Sequence, residues 1–289
     1  MDSSDGSSDD ESEEQTTLKF FRYSFLLVFF SSCSIDHSYD NSLTAKFIVH
    51  VKKNTPPAET VKPVKVKKKK TIYLTFDDGP NKGTKNVLQV VNEEQVPVSM
   101  FIVGQHVYGS QEQQAIWDSL QKDSLVELCN HSFTHAHNKY NKFYTNDSTV
   151  VTDFERCKDS LSLDNNIVRT PGRNIWRTAT VTSTDIKKST EAADSLYKDG
   201  FTIVGWDVEW RFNDSLKLKQ TTDEMITELD SAFIKNKTKT PDHLVLLAHD
   251  QVFADSSEAS SLKTFIRLLK LKDEYNIEFV SRYPGLKQQ

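Results

Sequence analysis

The sequence has few of the features that would make it a disulfide-built, membrane-spanning or nucleic-acid-binding protein. Its 289 residues include only three cysteines, Cys33, Cys129 and Cys157. An odd, sparse set is not a disulfide framework, and two buried thiols at 129 and 157 are the simpler reading. No apolar run reaches the roughly 20 residues that span a bilayer. Basic charge is not in excess either: the formal net charge is -5. Residues 1 to 17 hold seven acids (Asp2, Asp5, Asp9, Asp10, Glu11, Glu13, Glu14) and no base, so setting them aside turns -5 into +2. Lys19 and Arg22 account for that remainder, which leaves a near-neutral body and no electrostatic case for nucleic acid as a partner. No internal repeat is present.

What is there falls into three parts. Residues 1–33 combine the acidic, Ser-rich prefix, whose composition predicts disorder, with Leu18-Lys-Phe-Phe-Arg-Tyr-Ser-Phe-Leu-Leu-Val-Phe-Phe-Ser-Ser-Cys33. Two bases, a short apolar run, small residues and a cysteine resemble a bacterial lipoprotein signal, which implies export and a lipid anchor at Cys33. A buried strand near an intracellular N-terminus is the alternative. The acidic prefix departs from the signal pattern, and a start codon assigned too far upstream would account for it. Residues 34–70 are rich in Lys and Pro and too poor in apolar residues to pack, so they read as a linker. The catalytic-looking unit spans 71–285.

In that third part short apolar runs alternate with helical periodicity. Strands are expected at 71–76, 98–103, 125–129, 167–169, 201–207, 244–248 and 277–280. Helices are expected near 84–94, 110–122, 147–161, 189–198, 221–234 and 258–272, the third capped by Asn146 or Asp147. Seven strands alternating with six helices predict an α/β fold built on a parallel sheet.

Polar residues suited to chemistry recur where these strands end: Asp77 and Asp78, His131 and His135, Arg169, Asp207 with Glu209, and His249. In parallel α/β barrels those strand ends share one rim. The spacing of His131 and His135 suits two imidazoles on one side of a helical turn, and Asp78 can add a carboxylate oxygen. Two His and one Asp leave positions open for water and substrate. Zinc is the default ion for such a set, and cobalt or other divalent ions accept the same ligands.

Thr75-Phe-Asp-Asp-Gly-Pro80 and Glu127-Leu-Cys-Asn-His-Ser-Phe-Thr-His135 resemble the first two motifs of the polysaccharide deacetylases, the family with the NodB homology domain (carbohydrate esterase family four). Arg169-Thr-Pro-Gly-Arg173, Trp206-Asp-Val-Glu-Trp210 and Leu246-Leu-Ala-His249 are similar to the remaining three, in the family's order. The resemblance implies a distorted, incomplete (β/α)7 barrel. It implies a hydrolase that removes N-acetyl groups from GlcNAc or MurNAc units of an acetylated polysaccharide. Peptidoglycan, chitin-like oligomers and poly-GlcNAc all fit. An O-acetyl xylan esterase, an inactive glycan-binding module and a metal amidohydrolase acting on a small molecule are the rival readings.

Residue by residue, the resemblance makes Asp77 the general base, Asp78, His131 and His135 the metal ligands, and His249 the general acid. Arg169 would pair with the base carboxylate. Asp207 or Glu209 would support His249 or Arg169, with motif order favouring Glu209. Pro171, Trp206 and Trp210 would border the substrate. Two departures stand out: the fourth motif is shortened, and Gly172 stands where the family often has an aromatic residue, which predicts an open groove wall there. His106 and His137 are expected to have no catalytic part, and Cys129 is not expected to be a ligand. The sequence does not fix the oligomeric state.

Overall fold

The strand β1 (Lys70–Gly79) shows how the sequence builds this molecule, seen here in a computed structural model that describes residues 68–286. Successive side chains of a strand point to opposite faces. Ile72, Leu74 and Phe76 therefore pack into one apolar layer, and Tyr73 into another. Thr75 and Asp77 share the face of Tyr73. The same alternation runs through β2 (Val98–Ile102), β3 (Val126–Asn130) and, later in the chain, the 243–249 strand. Val98, Met100, Ile102, Leu244, Leu246 and Ala248 join the first layer, while Phe101, Cys129 and Val245 join the second.

The first layer is large because the helices cover it. Its residues also come from α1 (Thr84–Glu94), the short α2 (Gly104–Val107) and α3 (Gln111–Leu120). A second helical patch forms where α4 (Tyr140–Phe143) and α5 (Asp147–Leu161) meet the strands that follow. Asn146 caps α5, its side chain accepting from the Thr149 N–H. The other face of the sheet curls around a small set of side chains, Tyr73, Phe101, Trp176, Val204 and Tyr283 among them. Polar side chains at the carboxyl ends of the strands border an open cleft beside that inner core.

The sheet continues through β4 (Ile167–Val168), β5 (Ile175–Arg177), β6 (Thr182–Thr184), α6 (Thr190–Lys198), β7 (Thr202–Ile203) and β8 (Val208–Glu209). It closes with α7 (Thr222–Ile234), β9 (His243–His249), α8 (Ser256–Lys272) and β10 (Tyr275–Ile277). Its order is β6-β5-β7-β4-β3-β2-β1-β9-β8, with β10 pairing the start of β1. All pairings are parallel except those of β5 with β6 and β7. This curled open sheet with helices on its convex side is the distorted incomplete α/β barrel that the sequence predicts.

Three strands went unpredicted. The hairpin β5–β6 has arms of three residues and β8 has two, too short for any periodicity to register. The predicted strand at 201–207 is the opposite error. Only Thr202 and Ile203 pair with β4, and the chain then leaves the sheet before rejoining it beside β9. The expected segments 1–33 and most of 34–70 lie outside the described residues. Among the described residues no helix is long and apolar enough to cross a membrane.

Candidate active site

Parallel register brings the first two functional residues together. Asp77 on β1 is the Cα partner of His249 on β9 and of Phe101 on β2. Beyond Asp77 the chain turns left-handed at Asp78 (φ 78), a conformation that Asp tolerates better than most L-residues. That turn swings the Asp78 side chain toward the loop after β3. Its Oδ1 lies 3.1 Å from His135 Nε2 and 3.4 Å from His131 Nε2. The three ligand atoms all lie within 4.8 Å of one another.

The two histidines do not meet as an i, i+4 pair on a helical turn. Ser132 (φ 65) and His135 (φ 52) are both left-handed, and His135 opens an irregular turn rather than continuing a helix. Left-handed backbone at non-glycine residues costs about 1–2 kcal/mol each, so something must hold this loop. Asn130 Oδ1 accepts from the Ser132 N–H at 2.8 Å. Asp153 on α5 accepts from both the N–H and the hydroxyl of Thr134 at 3.1 Å. The ligand geometry is thus set by the docking of α5, a long-range contact.

The imidazoles are oriented for a cation. His131 Nδ1 is 2.8 Å from the Arg169 carbonyl oxygen, which can only accept. Nδ1 must therefore carry the proton, and in the neutral ring Nε2 presents a lone pair. His135 Nδ1 makes the same kind of contact to Asn138 Oδ1 at 2.9 Å. Two lone pairs thus face the carboxylate of Asp78, whose Oδ1 is buried with no hydrogen-bond partner. A shared cation, whether protons or a metal ion, resolves that arrangement. Burial works against the charged form of Asp78, but His131 and His135 outweigh it and hold the carboxyl well below the usual carboxylate range. His135 is likewise pulled down by burial but raised overall by Asp78. This donor set, with its outer hydrogen bonds, fits a divalent metal ion.

Arg169 locks Asp77. The guanidinium is fully buried and donates from Nη1 to Asp77 Oδ1 and Thr75 Oγ1, both at 2.8 Å. Nε donates to the Val204 carbonyl at 3.1 Å and Nη2 to the Gly205 carbonyl at 2.9 Å. Its Cζ lies over the Phe101 ring, 4.0 Å from the centroid. Asp77 Oδ1 is thereby committed, and Oδ2 remains on the side of His131, 3.7 Å from Nε2.

These groups open into a cleft of about 560 Å³ at the carboxyl ends of the strands. Asp77, Asp78, His131, His135, His249, Glu209 and Trp206 all line it. Four of the sequence expectations need correction or qualification. Trp210 is not a substrate wall: it is 1% exposed, packs on Phe253 and Phe265 on the helical side of the sheet, and donates Nε1–H to the Gln220 carbonyl. Asp207 does not reach His249. Its carboxylate accepts from the backbone N–H groups of Lys239 (2.7 Å) and Val245 (2.8 Å), and burial pushes its pKa up to about 6 against those bonds. Pro171 is buried outside the cleft lining, where its carbonyl accepts from the Tyr144 hydroxyl; its neighbours Thr170 and Gly172 line the cleft instead. His249 Nδ1 is buried without a hydrogen-bond partner, so Glu209 shares the cleft with it but does not bond that nitrogen.

Sequence reasoning missed Tyr140, Phe212 and Asn81, which also line the cleft. None belongs to a periodic or motif-like pattern. The Phe212 ring meets His249 edgewise at 5.1 Å. His106, given no catalytic part from sequence, lines the cleft and bonds the Asp78 carbonyl through Nδ1 at 2.8 Å. Cys129 and Cys157 are free buried thiols, as the simpler reading had it.

Asp250 lies just behind the cleft, fully buried, and accepts from the Asn81 amide and the Thr84 hydroxyl. Burial, reinforced by the charges of Asp78 and Asp77, raises its pKa to about 7 despite those two bonds. A raised folded-state pKa means the native state holds this proton where the unfolded chain has lost it. The associated stability is complete below the unfolded carboxyl pKa near 4 and is lost as pH rises through about 7. In chelator-treated protein the urea midpoint should therefore fall between pH 5 and pH 8, and Asp250→Asn should flatten that fall. Asp207 contributes a slope of the same sign, so a residue of it stays. Equal slopes in the two proteins would rule out Asp250 as a source.

Comparison with known proteins agrees with this construction. Residues 65–171 match the family model described as polysaccharide deacetylase. A putative polysaccharide deacetylase, YheN, of Bacillus subtilis (strain 168) is 26% identical over 173 residues, covering 56% of this chain and 55% of its own. The peptidoglycan-N-acetylglucosamine deacetylase of Bacillus cereus is 24% identical over 189 residues, covering 64% and 61%. The chain thus spans about half to three fifths of the length of such relatives. Among solved structures, a Streptococcus mutans CE4 esterase shares the fold at a TM-score of 0.56 and 22% identity, over 73% of this chain and 86% of that one. The catalytic domain of peptidoglycan N-acetylglucosamine deacetylase from Eubacterium rectale does so at 0.56 and 21%, over 81% and 97%. In its motifs, in the segment 65–171 that matches the family model and in its fold, the chain is similar to the polysaccharide deacetylases.

Proposed function

We propose that the protein is a metal-dependent hydrolase that removes N-acetyl groups from a polysaccharide containing GlcNAc or MurNAc, releasing acetate and leaving a free amine. The observation that carries this reading is the Asp78–His131–His135 donor set beside an Asp77 carboxylate clamped by Arg169. A bound divalent cation, zinc by its preference for mixed nitrogen and oxygen donors or cobalt in the same ligands, would supply Lewis acidity toward the acetyl carbonyl and lower the pKa of water.

The chain's own groups do the rest. Asp77 Oδ2, left free by the Arg169 clamp on Oδ1, takes the proton of the attacking water. His249, held beside Asp77 by strand register, returns a proton to the departing nitrogen, since an amide anion is a very poor leaving group. Trp206 gives the cleft an apolar wall. Exposed Gln105, Asn138 and Asp185 rim it, which suits a long chain passing across rather than a small molecule enclosed.

The proposal includes the organisation read from the sequence: a catalytic unit at 71–285, a linker at 34–70, and export with a lipid anchor at Cys33. Mass measurement of the mature N-terminus tests the anchor. For the activity, purified zinc-loaded protein should release acetate from GlcNAc oligomers or peptidoglycan. A chelator should abolish the release, and zinc or cobalt should restore it. Acetate from acetylated xylan alone would move the assignment to an ester substrate, and silence on every glycan would overturn it.

A further inference from the structure

The third motif's glycine leaves a gap that another part of the chain fills. Gly172 is exposed and left-handed (φ +63), at the lip of the cleft. A Cβ built there would meet ring carbons Cγ, Cδ1 and Cδ2 of Tyr140, each at 3.1 Å. The ring of Tyr140 therefore stands where a side chain at 172 would have to go. It arrives from α4, a segment that no motif marks. The expected open wall at Gly172 is closed from elsewhere.

The ring is fixed by packing rather than by its hydroxyl. It meets the His135 imidazole at right angles, with centroids 5.7 Å apart. The Arg173 guanidinium lies 6.0 Å from its centroid. Its hydroxyl is 3.5 Å from Asn138 Oδ1, at the limit of a hydrogen bond. The ring is half-buried, and the part not pressed on Gly172 lines the same cleft as Asp77, Asp78 and His249. An aromatic ring presents an apolar face next to a polar tip. A pyranose is its counterpart, with an apolar C–H face and a rim of hydroxyls.

We infer that Tyr140 is the substrate-wall residue that Gly172 does not provide, stacking on the sugar whose acetyl group lies at the metal-ligand cluster. Its direct ring contact with His135, one of the three metal-ligand candidates, selects that sugar rather than a remote one. The inference rests on the proposed deacetylase reading and adds to it the residue that selects a sugar-borne acetyl group.

The test compares triacetylchitotriose with a small aryl acetate, using zinc-loaded protein. In Tyr140→Ala the ratio of kcat/KM for the oligosaccharide to that for the ester should fall about tenfold, the size of one lost aromatic contact. Tyr140→Phe should keep the ratio within about twofold, because stacking and not the hydroxyl is at work. Calorimetry in an Asp77→Asn background should show about tenfold weaker chitotriose binding when Tyr140→Ala is added, at unchanged zinc content. An equal fall on both substrates, or a Phe variant as poor as Ala, would overturn the inference. Wild-type protein that binds chitotriose without releasing acetate would refute the deacetylase reading alone. Unchanged binding in Tyr140→Ala would refute this one.

Discussion

Arg169→Met is expected to lower the stability of the folded unit by about 3–5 kcal/mol, the cost of removing one partner from a buried ion pair. The reason is specific to this site. Arg169 is fully buried and spends its donors on Asp77, Thr75 and two backbone carbonyls. Methionine fills much of the volume but leaves the Asp77 carboxylate buried without a cation, and it leaves the carbonyls of Val204 and Gly205 without that donor. For a domain of this size the melting temperature should drop on the order of 10 °C. Adding Asp77→Asn should restore part of the loss, since the stranded charge is then gone. Lysine should not rescue, because a point charge cannot reproduce the planar fork that serves four acceptors and stacks on Phe101. An Arg169→Met protein that melts with the wild type would show that the clamp carries no stability.

Asp78→Asn should reduce acetate release by about a thousandfold or more, a loss typical of removing the main electrostatic stabiliser of a transition state. Asparagine is chosen because it keeps the shape and tolerates the left-handed backbone at φ 78. What it loses is the anionic oxygen between His131 and His135. Cation affinity should fall with activity, and so should the rise in melting temperature that zinc gives the wild type, because a ligand stabilises only the state that binds it. Without added metal the variant should melt below the wild type at neutral pH, since asparagine also loses the attraction between the Asp78 carboxylate and the two histidines, but by less than the stabilisation that zinc gives the wild type. Full zinc binding by Asp78→Asn, measured by equilibrium dialysis, would dismiss Asp78 as a ligand.

The two predictions differ in how far the sequence reaches. Asp78 was identified from its motif, and the structure brings it to both predicted histidines. The route by which they meet was misjudged. A His-x3-His spacing suggests a helical turn, whereas two left-handed residues, held by Asn130 and by Asp153 on α5, make the approach. Arg169 was expected to pair with Asp77 and lies 2.8 Å from it. Its three further acceptors were invisible, because two of them are backbone carbonyls of a segment wrongly read as continuous strand. Trp206 and Trp210 look alike in the sequence, four positions apart. Tertiary packing sends one to the cleft and the other to the helical core.

By itself the sequence determined which face each strand residue takes, where most of the helices run, and which polar residues end the strands. Those are local consequences of side-chain alternation, helical period and capping. The tertiary structure alone decided which of those residues meet. It turned Asp207 to the backbone, left Glu209 apart from His249 Nδ1, and laid Tyr140 over Gly172. Such meetings depend on strand register and on loops held by distant partners, and no window of neighbouring residues contains both ends of those contacts.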